Sequence, residues 1–246
     1  MPVRPRGDYG VDAPWVPWLW IGFAVVSAGA VLGFIQWGAG WWTVALSGCF
    51  AVATIAYLLG AGLYWHASLR GKFAIWDRRL RGISLAPGAR VLDLGCGRGA
   101  VAIMVAVRHR EAAVTGIDLW RSVDQSGNSH TAAEANAERN GVGGRVAFDT
   151  GDMTRLPYPD GAFALVTASL SLHNIPTADG RRTAVQEAAR VLAPGGRLLI
   201  VDIQRTEEYA AELRALGLRV TGPTRLGWRA WWTGPWMAAT ALDAAR

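Results

Sequence analysis

The chain has 246 residues, a formal net charge of +6, 51% hydrophobic residues and 18% charged residues. This length suffices for one domain of average size plus an additional segment. The apolar content excludes disorder as the main state. With only two cysteines, Cys49 and Cys96, the chain cannot form a disulfide scaffold, and no metal site is predicted.

The N-terminal third carries almost no charge. Residues 13–69 contain no Asp, Glu, Lys or Arg, and apolar runs cover about residues 15–37 and 41–65. Each run is long enough to cross a hydrocarbon core of about 30 Å as a helix. Tryptophans near the run ends match an interfacial belt, and small residues within the runs allow close helix packing. We therefore predict a transmembrane helical hairpin within residues 1–69.

The charges around this hairpin predict its orientation. The turn at residues 38–40 is short and uncharged, so both ends of the hairpin lie on one side. Residues 70–84 carry five cations against Asp77, and we predict a basic membrane-proximal linker there. The positive-inside rule then predicts an integral protein of the inner (cytoplasmic) membrane, with both termini in the cytoplasm. A cleaved signal peptide and a buried hairpin of a soluble protein are the alternatives.

The remainder, residues 85–246, alternates short apolar runs with helical stretches. Such alternation predicts an α/β fold with a Rossmann-like, doubly wound sheet. Two further strands are expected in the tail, at residues 219–221 and 236–242. The main strands are predicted at 90–94, 113–117, 145–148, 163–167 and 198–201, and the helices at about 100–110, 131–140, 181–192 and 207–216.

A glycine-rich loop follows the first predicted strand. Gly95, Gly97 and Gly99 open the first helix, where glycines allow a tight turn and close approach of a ligand to a helix N-terminus. With Ala100 in the third position, the loop also satisfies the dinucleotide fingerprint, so an NAD-binding oxidoreductase is one alternative. However, the carboxylate of Asp93 beside the loop disfavours a pyrophosphate and favours an ammonium group.

Two further carboxylates follow the next strands. Asp118 ends the second strand, where it can accept hydrogen bonds from both hydroxyls of a ribose. Asp152 follows the third strand, where it can accept a hydrogen bond from an adenine amino group. A ligand with an ammonium group, a ribose and an adenine is S-adenosylmethionine.

Residues 85–205 resemble a class I S-adenosylmethionine-dependent methyltransferase, most closely the small-molecule branch that includes the quinone-biosynthesis methyltransferases. The matching stretches are 91–99, 116–120, 151–153, 156–158, 163–167 and 192–197. The resemblance implies S-adenosylmethionine as the cofactor, with its methionine end at the glycine loop, its ribose on Asp118 and its adenine between Leu119 and Met153. The implied cofactor-binding residues are Asp93, Gly95, Cys96, Gly97, Gly99, Asp118, Leu119, Trp120, Asp152, Met153 and Ser169.

Other polar residues near the predicted site are candidates for further roles. The polar loop at residues 121–129 offers Gln125 and Asn128 as contacts, although a plain surface loop is equally consistent with its composition. His173 follows the fourth strand and is the candidate general base for an acceptor that must lose a proton. A hydrogen-bonded structural role is the alternative for His173, and His130 is the second candidate base.

The leading hypothesis is a membrane-integral methyltransferase acting on a small lipophilic acceptor, such as a quinone, phenol, isoprenoid or lipid. The alternatives are a soluble acceptor with the hairpin forming a homodimer, and a silent membrane scaffold. No nucleic-acid partner is expected, because the positive charge concentrates at residues 70–84 and no Asp/Asn-Pro-Pro-aromatic motif follows the fourth strand. The tail is rich in tryptophan, with Trp228, Trp231, Trp232 and Trp236. We predict that it faces the membrane, covers the substrate or packs in the core. For Trp236, core packing is favoured.

Overall fold

The computed structural model describes residues 4–246. Helices α1 (Trp15–Trp37) and α2 (Trp41–His66) form an antiparallel hairpin. Helix α2 continues through a π-helical turn (Ala67–Gly71) into α3 (Lys72–Arg81). Both predicted apolar helices are therefore confirmed as helices, and the second is part of a longer continuous helical segment.

The two apolar helices expose most of their side chains. Their mean hydropathy reaches 2.0 and 1.9, and only 11% of the most apolar stretch of each is buried. By length and composition, both can cross a membrane. They pack closely where Gly60 faces Trp20, because a Cβ on Gly60 would lie 2.5 Å from the indole ring.

The rest of the chain forms a seven-stranded sheet in the order β3-β2-β1-β4-β5-β7-β6, in which β1 to β5 are parallel and β7 is antiparallel to β5 and β6. This confirms the Rossmann-like α/β prediction. The strands are β1 (Arg90–Leu94), β2 (Ala113–Asp118), β3 (Val146–Thr150), β4 (Phe163–Ser169), β5 (Leu192–Asp202), β6 (Arg219–Arg225) and β7 (Thr240–Ala245), and the helices are α4 (Ala100–Arg108), α5 (His130–Arg139), α6 (Ala178–Arg190) and α7 (Thr206–Ala215).

The last strand begins later than the sequence predicts. Residues 236–242 were expected to supply it, but a 3₁₀ turn occupies Pro235–Met237, and β7 starts at Thr240. Residues 237–239 pair with residues 230–232 before the chain reaches the sheet: the N–H of Trp232 donates to the carbonyl of Met237, and the N–H of Ala239 donates to that of Ala230, both at 2.9 Å.

Residues 70–84 are mostly helical and pack against the domain, which differs from the predicted basic linker. Helix α3 contacts α4 and the 3₁₀ turn at Trp228–Ala230. Most of its charges are neutralised internally, so little of the predicted basic surface is free. The ion pairs are Lys72 with Asp12, Arg79 with Asp243, and Asp77 with both Arg81 and Arg108; among the described residues, Arg70 and Arg78 form none.

Residues 4–13, here called the N-terminal strap, lie along the surface of the α/β domain. The amide of Asn136 donates to the carbonyl of Asp8 at 2.7 Å. The backbone N–H of Val11 donates to Ser126 Oγ at 2.8 Å, and that of Ala13 donates to the carbonyl of Asp124 at the same distance. Both ends of the apolar hairpin are therefore attached to the domain, one through the strap and the other through α3.

The tryptophan-rich tail is divided between core and surface. Trp232 is 4% exposed, and its ring centroid lies 5.1 Å from that of Tyr64 in α2. Trp236 is 72% exposed, so the prediction of core packing for this residue is wrong. Trp228 stacks on His66 at the base of the hairpin. The tail therefore fastens the end of α2 to the sheet through Trp232.

Candidate active site

A cavity of about 180 Å³ lies at the carboxyl edge of β1, β2 and β4. The strand order reverses between β2-β1 and β4-β5, and open α/β sheets bind ligands at such a switch point. Most of the residues predicted to bind the cofactor meet here. The lining includes Asp93, Gly95, Cys96, Gly97, Asp118, Leu119, Gln125, Asn128, Asp152, Met153 and Ser169.

Asp93 is the most deeply buried carboxyl of this cavity. Its Oδ1 accepts a hydrogen bond from Thr167 Oγ1 at 2.7 Å, and its Oδ2 accepts one from the N–H of Ala102, in the first turn of α4, at 3.1 Å. Burial raises the pKa of Asp93 to about 7, although both hydrogen bonds oppose the shift. A cation bound beside Asp93 would favour its ionised form.

Asp118 connects the glycine loop to the loop that follows β2. Its Oδ2 accepts from the N–H of Gly97 at 2.8 Å, while its Oδ1 accepts from the N–H of Trp120 at 2.6 Å and from the amide of Asn128 at 3.2 Å. These contacts hold the carboxylate at the cavity wall. A carboxylate has about four lone-pair positions, so it can also accept from a hydroxyl of the ligand.

Two glycines of the loop are required by space and by backbone conformation. Gly95 and Gly97 have φ values of +63° and +52°. A Cβ on Gly95 would lie 2.3 Å from Cβ of Ser171, and a Cβ on Gly97 would lie 2.5 Å from Oε1 of Gln125. Only glycine lets the backbone pass this close to its neighbours.

Two residues predicted to bind the cofactor do not line the cavity. A Cβ on Gly99 would lie 2.9 Å from the ring of Phe148, so Gly99 allows the start of α4 to pack on β3. Trp120 turns away, and its Nε1 donates to Thr150 Oγ1 at 2.7 Å. The sequence pattern located both loops correctly, but it could not show that Gly99 allows helix packing or that the Trp120 side chain turns away from the cavity.

Neither histidine candidate lines the cavity. His173 Nδ1 lies 2.5 Å from Oδ1 of Asp202. Burial lowers the pKa of His173, but the hydrogen bond and charge of Asp202 outweigh burial and raise it. Because His173 lies outside the cavity lining and its Nδ1 is hydrogen-bonded to Asp202, the geometry favours the structural role for His173 over that of general base. Nε2 of His130 contacts the carbonyl of Phe148 at 2.8 Å.

The structure adds lining residues that the sequence analysis did not identify. They include Asp12 of the strap, three residues of α3 (Lys72, Phe73 and Trp76) and Asp124. Burial raises the pKa of Asp124. In the sequence, the only feature that drew attention to these segments was the pair of isolated charges, Asp12 and Arg70, on either side of the uncharged stretch. Those charges did not indicate that the segments line this cavity.

Residues 91–196 match the family model described as a methyltransferase domain. Over 126 residues the chain is 39% identical to the 27-O-demethylrifamycin SV methyltransferase of Amycolatopsis mediterranei, covering 51% of this chain and 43% of that protein. Over 146 residues it is 36% identical to the demethylmenaquinone methyltransferase of Thermus thermophilus, covering 59% of each. Residues 91–196 therefore form a methyltransferase domain of the S-adenosylmethionine-dependent class. The matched part spans about half the length of these curated relatives.

Solved structures agree on the fold of this methyltransferase domain. The geranyl diphosphate C-methyltransferase of Streptomyces coelicolor A3(2) superposes with a TM-score of 0.54 at 15% identity, covering 72% of this chain and 74% of that one. This likeness concerns the fold alone.

The cavity of the methyltransferase domain fits S-adenosylmethionine. Buried Asp93 can face an ammonium group, and Asp118 presents a fixed carboxylate to a ribose. Leu119 and Met153 supply apolar surface for an adenine, and Asp152 lies beside them. Gly95 and Gly97 also line the cavity, so the loop backbone can approach the ligand.

Proposed function

We propose that this protein is an integral-membrane, S-adenosylmethionine-dependent methyltransferase that methylates a small lipophilic acceptor. One observation carries the proposal: the wall of the cofactor cavity includes residues from both segments that flank the apolar hairpin. Asp12 lies just before α1, and Lys72, Phe73 and Trp76 lie just after α2. The hairpin and the catalytic cavity are therefore one structural unit.

The exposure of the hairpin supports membrane insertion. Val26 and Val44 are 72% and 73% exposed, and Ile35 is 70% exposed. The core helix of a soluble protein would bury such residues against its neighbours. A bilayer would cover them, and the tryptophans at the helix ends would lie at its interfaces.

The attachment of both hairpin ends to the domain supports one topology. If the helices span a bilayer, the strap and the domain must lie on the same side. Exposed Arg70 and Arg78 lie on that side, with Arg4 and Arg6, while the turn at residues 38–40 has no charge. By the positive-inside rule, this side is the cytoplasm.

Bound S-adenosylmethionine supplies an electrophilic methyl group on a sulfonium sulfur. The residues of the chain bind it and align it with the acceptor, which is how such a site provides effective concentration. A relative named for demethylmenaquinone supports a quinone-class acceptor, and a bilayer-anchored enzyme would meet such a molecule where it dissolves.

The test is the fate of the methyl group. The full-length protein in detergent is incubated with S-adenosylmethionine labelled on the methyl carbon and with a total extract of its source cells, and the phases are separated. We expect label in the organic phase. Label confined to the aqueous phase would overturn the lipophilic acceptor, and binding of the cofactor without any transfer would indicate a silent scaffold.

Cofactor identity is tested in the same preparation. S-adenosylhomocysteine should displace the bound labelled cofactor, whereas NAD in excess should not. Displacement by NAD would favour the oxidoreductase alternative. We also measure Asp118→Ala, a variant of the predicted ribose-binding carboxylate. Its matched control is Asp179→Ala, at a highly exposed carboxylate that does not line the cavity.

A further inference from the structure

Lys72 and Asp12 form an ion pair in the wall of the cavity. Both residues lie outside the segment 91–196 that matches the methyltransferase family. Nζ of Lys72 lies 2.8 Å from Oδ2 and 3.0 Å from Oδ1 of Asp12. Lys72 is only 8% exposed. An ammonium group has three N–H donors, and this carboxylate accepts at two contacts, so a donor remains for a ligand.

Neighbouring residues hold the pair in place. Ser68 Oγ donates to Oδ2 of Asp12 at 2.8 Å, and Gln125 Nε2 donates to Oδ1 at 3.2 Å. Oε1 of Gln125 in turn accepts from the N–H of Arg98 in the glycine loop at 2.9 Å. The pair is therefore fixed relative to the part of the loop that faces the cofactor.

Lys72 is the buried cation of the cavity. Arg121, the other cation among the described lining residues, is exposed. The remaining charged lining residues are carboxylates, which repel an anion. An anionic group that enters this cavity would therefore find its favourable contact at Lys72. The carboxylates other than Asp12 are Asp93, Asp118, Asp124 and Asp152.

The surroundings of the pair are aromatic and apolar. The Phe73 ring centroid lies 5.6 Å from Nζ of Lys72, and Trp76 Nε1 donates to Ser169 Oγ at 2.8 Å. A second, smaller cavity shares Lys72, Ser169 and Leu170 with the first and extends towards the base of the hairpin. Its other lining residues, nearly all apolar, are Ala67, Ile75, Val201, Arg229, Ala230, Trp232 and Ala239.

We propose that the acceptor is a lipophilic phenol or enol with one ionisable hydroxyl, and that Lys72 and Asp12 bind this hydroxyl. This inference rests on the proposed function and names its substrate class. The apolar body of the acceptor lies against Phe73 and Trp76, and its hydroxyl reaches the pair.

The acceptor hydroxyl displaces the long hydrogen bond from Gln125 Nε2 and gives its proton to Oδ1 of Asp12. The ammonium of Lys72 stabilises the resulting oxyanion. The oxygen lone pair forms the bond to the methyl carbon while the carbon–sulfur bond breaks and its electron pair stays on sulfur. The products are the methyl ether and neutral S-adenosylhomocysteine, and Asp12 returns its proton to water when they leave.

A chromophoric phenol tests whether Lys72 and Asp12 bind an ionisable hydroxyl, and the test needs no turnover. An alkyl-substituted 4-nitrophenol is added to the full-length protein loaded with S-adenosylhomocysteine, and the absorbance of its phenolate is followed against pH. An opposite charge within reach lowers the pKa of an acid by about 1–3 units. We therefore expect the bound probe to ionise at a correspondingly lower pH than the probe in the same detergent without protein.

The variants separate the two roles. Lys72→Met should return the pKa of the bound probe towards that of the free probe. Lys72→Arg should keep the pKa of the bound probe lowered. Asp12→Asn should also keep it lowered, because the ammonium remains, while methyl transfer to a phenol acceptor falls at least tenfold. Arg70→Met removes an exposed cation two residues before Lys72 and is the matched control, with no change expected.

Lys72→Met leaves Asp12 without its partner, so the double variant Lys72→Met/Asp12→Asn is measured as well, with binding of S-adenosylhomocysteine as the check of folding. Equal ionisation of the probe in the wild type and the double variant would overturn the inference and leave the pair as an anchor for the strap. Failure of the loaded wild type to bind the probe would also overturn it. Failure of the wild type to bind S-adenosylhomocysteine would instead refute the proposed function.

Discussion

Asp93 illustrates how burial gives a single residue its chemistry. Its ordinary pKa of 3.8 is raised to about 7 by burial. Between these values the folded protein retains a proton that the unfolded chain releases. This group therefore makes the free energy of unfolding fall as the pH rises from about 4 to about 7. A bound ammonium group reverses the preference, because it stabilises the carboxylate.

Cofactor affinity should consequently depend on pH. Below pH 7, binding must release the proton of Asp93, so the affinity for S-adenosylhomocysteine should rise with pH and level off at about pH 7. Calorimetric titration from pH 5.5 to 7.5 measures this. Asp93→Asn should bind more weakly and without this dependence. A wild-type affinity that is flat over the same range would contradict the placement of the ammonium group.

Asp118 should contribute directly to cofactor affinity. Asp118→Ala removes a carboxylate that we expect to accept from the ribose, and it leaves the N–H of Gly97 without its partner. The loss should be about 1–3 kcal/mol of binding free energy. Equilibrium binding of S-adenosylhomocysteine measures it, with Asp179→Ala as the control. Unchanged affinity would mean that the ribose lies elsewhere.

At the level of elements, the contact between α1 and α2 depends on a small residue. In an exposed position, Gly→Ala stabilises a helix by about 1 kcal/mol. Gly60 is buried against Trp20, whereas a Cβ on Gly62 would meet no described atom within 4 Å. The two glycines lie in the same helix two residues apart, so they form a matched pair.

Gly60→Ala should therefore lower the thermal stability of the detergent-purified protein, because the indole of Trp20 must move. Gly62→Ala should leave the melting temperature unchanged or raise it. Differential scanning fluorimetry of both variants makes the comparison. Equal behaviour of the two would mean that the helices do not pack at Gly60.

At the scale of the whole molecule, the hairpin and the domain predict a sidedness that can be measured. Cys96 is buried and its thiol pKa is raised by burial, so it stays unreactive, whereas Cys49 is exposed. In a Cys49→Ala background, Ala39→Cys marks the hairpin turn and Ala215→Cys marks the end of α7, both at exposed positions.

In intact spheroplasts, a membrane-impermeant maleimide should label Ala39→Cys, and it should label Ala215→Cys only after permeabilisation. The reverse pattern would place the domain outside. Labelling of both positions only after permeabilisation, with the protein in the soluble fraction, would show that the hairpin does not insert.

Local sequence patterns were enough to predict the elements that depend on neighbouring residues alone. Uninterrupted apolar runs predicted α1 and α2, because helix length and composition are local properties. Alternating runs predicted the sheet, and the spacing of Asp93, the glycine loop and Asp118 predicted the cofactor cavity, since parallel strands end at one edge.

Long-range packing sets which distant groups meet and which way side chains point. Asp12 and Lys72 are sixty positions apart and become partners because the hairpin returns the chain to its starting point. His173 was available to a substrate in the sequence, but the structure pairs it with Asp202. The pKa of Asp93 follows from burial by segments far away in the chain. Such contacts depend on packing, which no local pattern specifies.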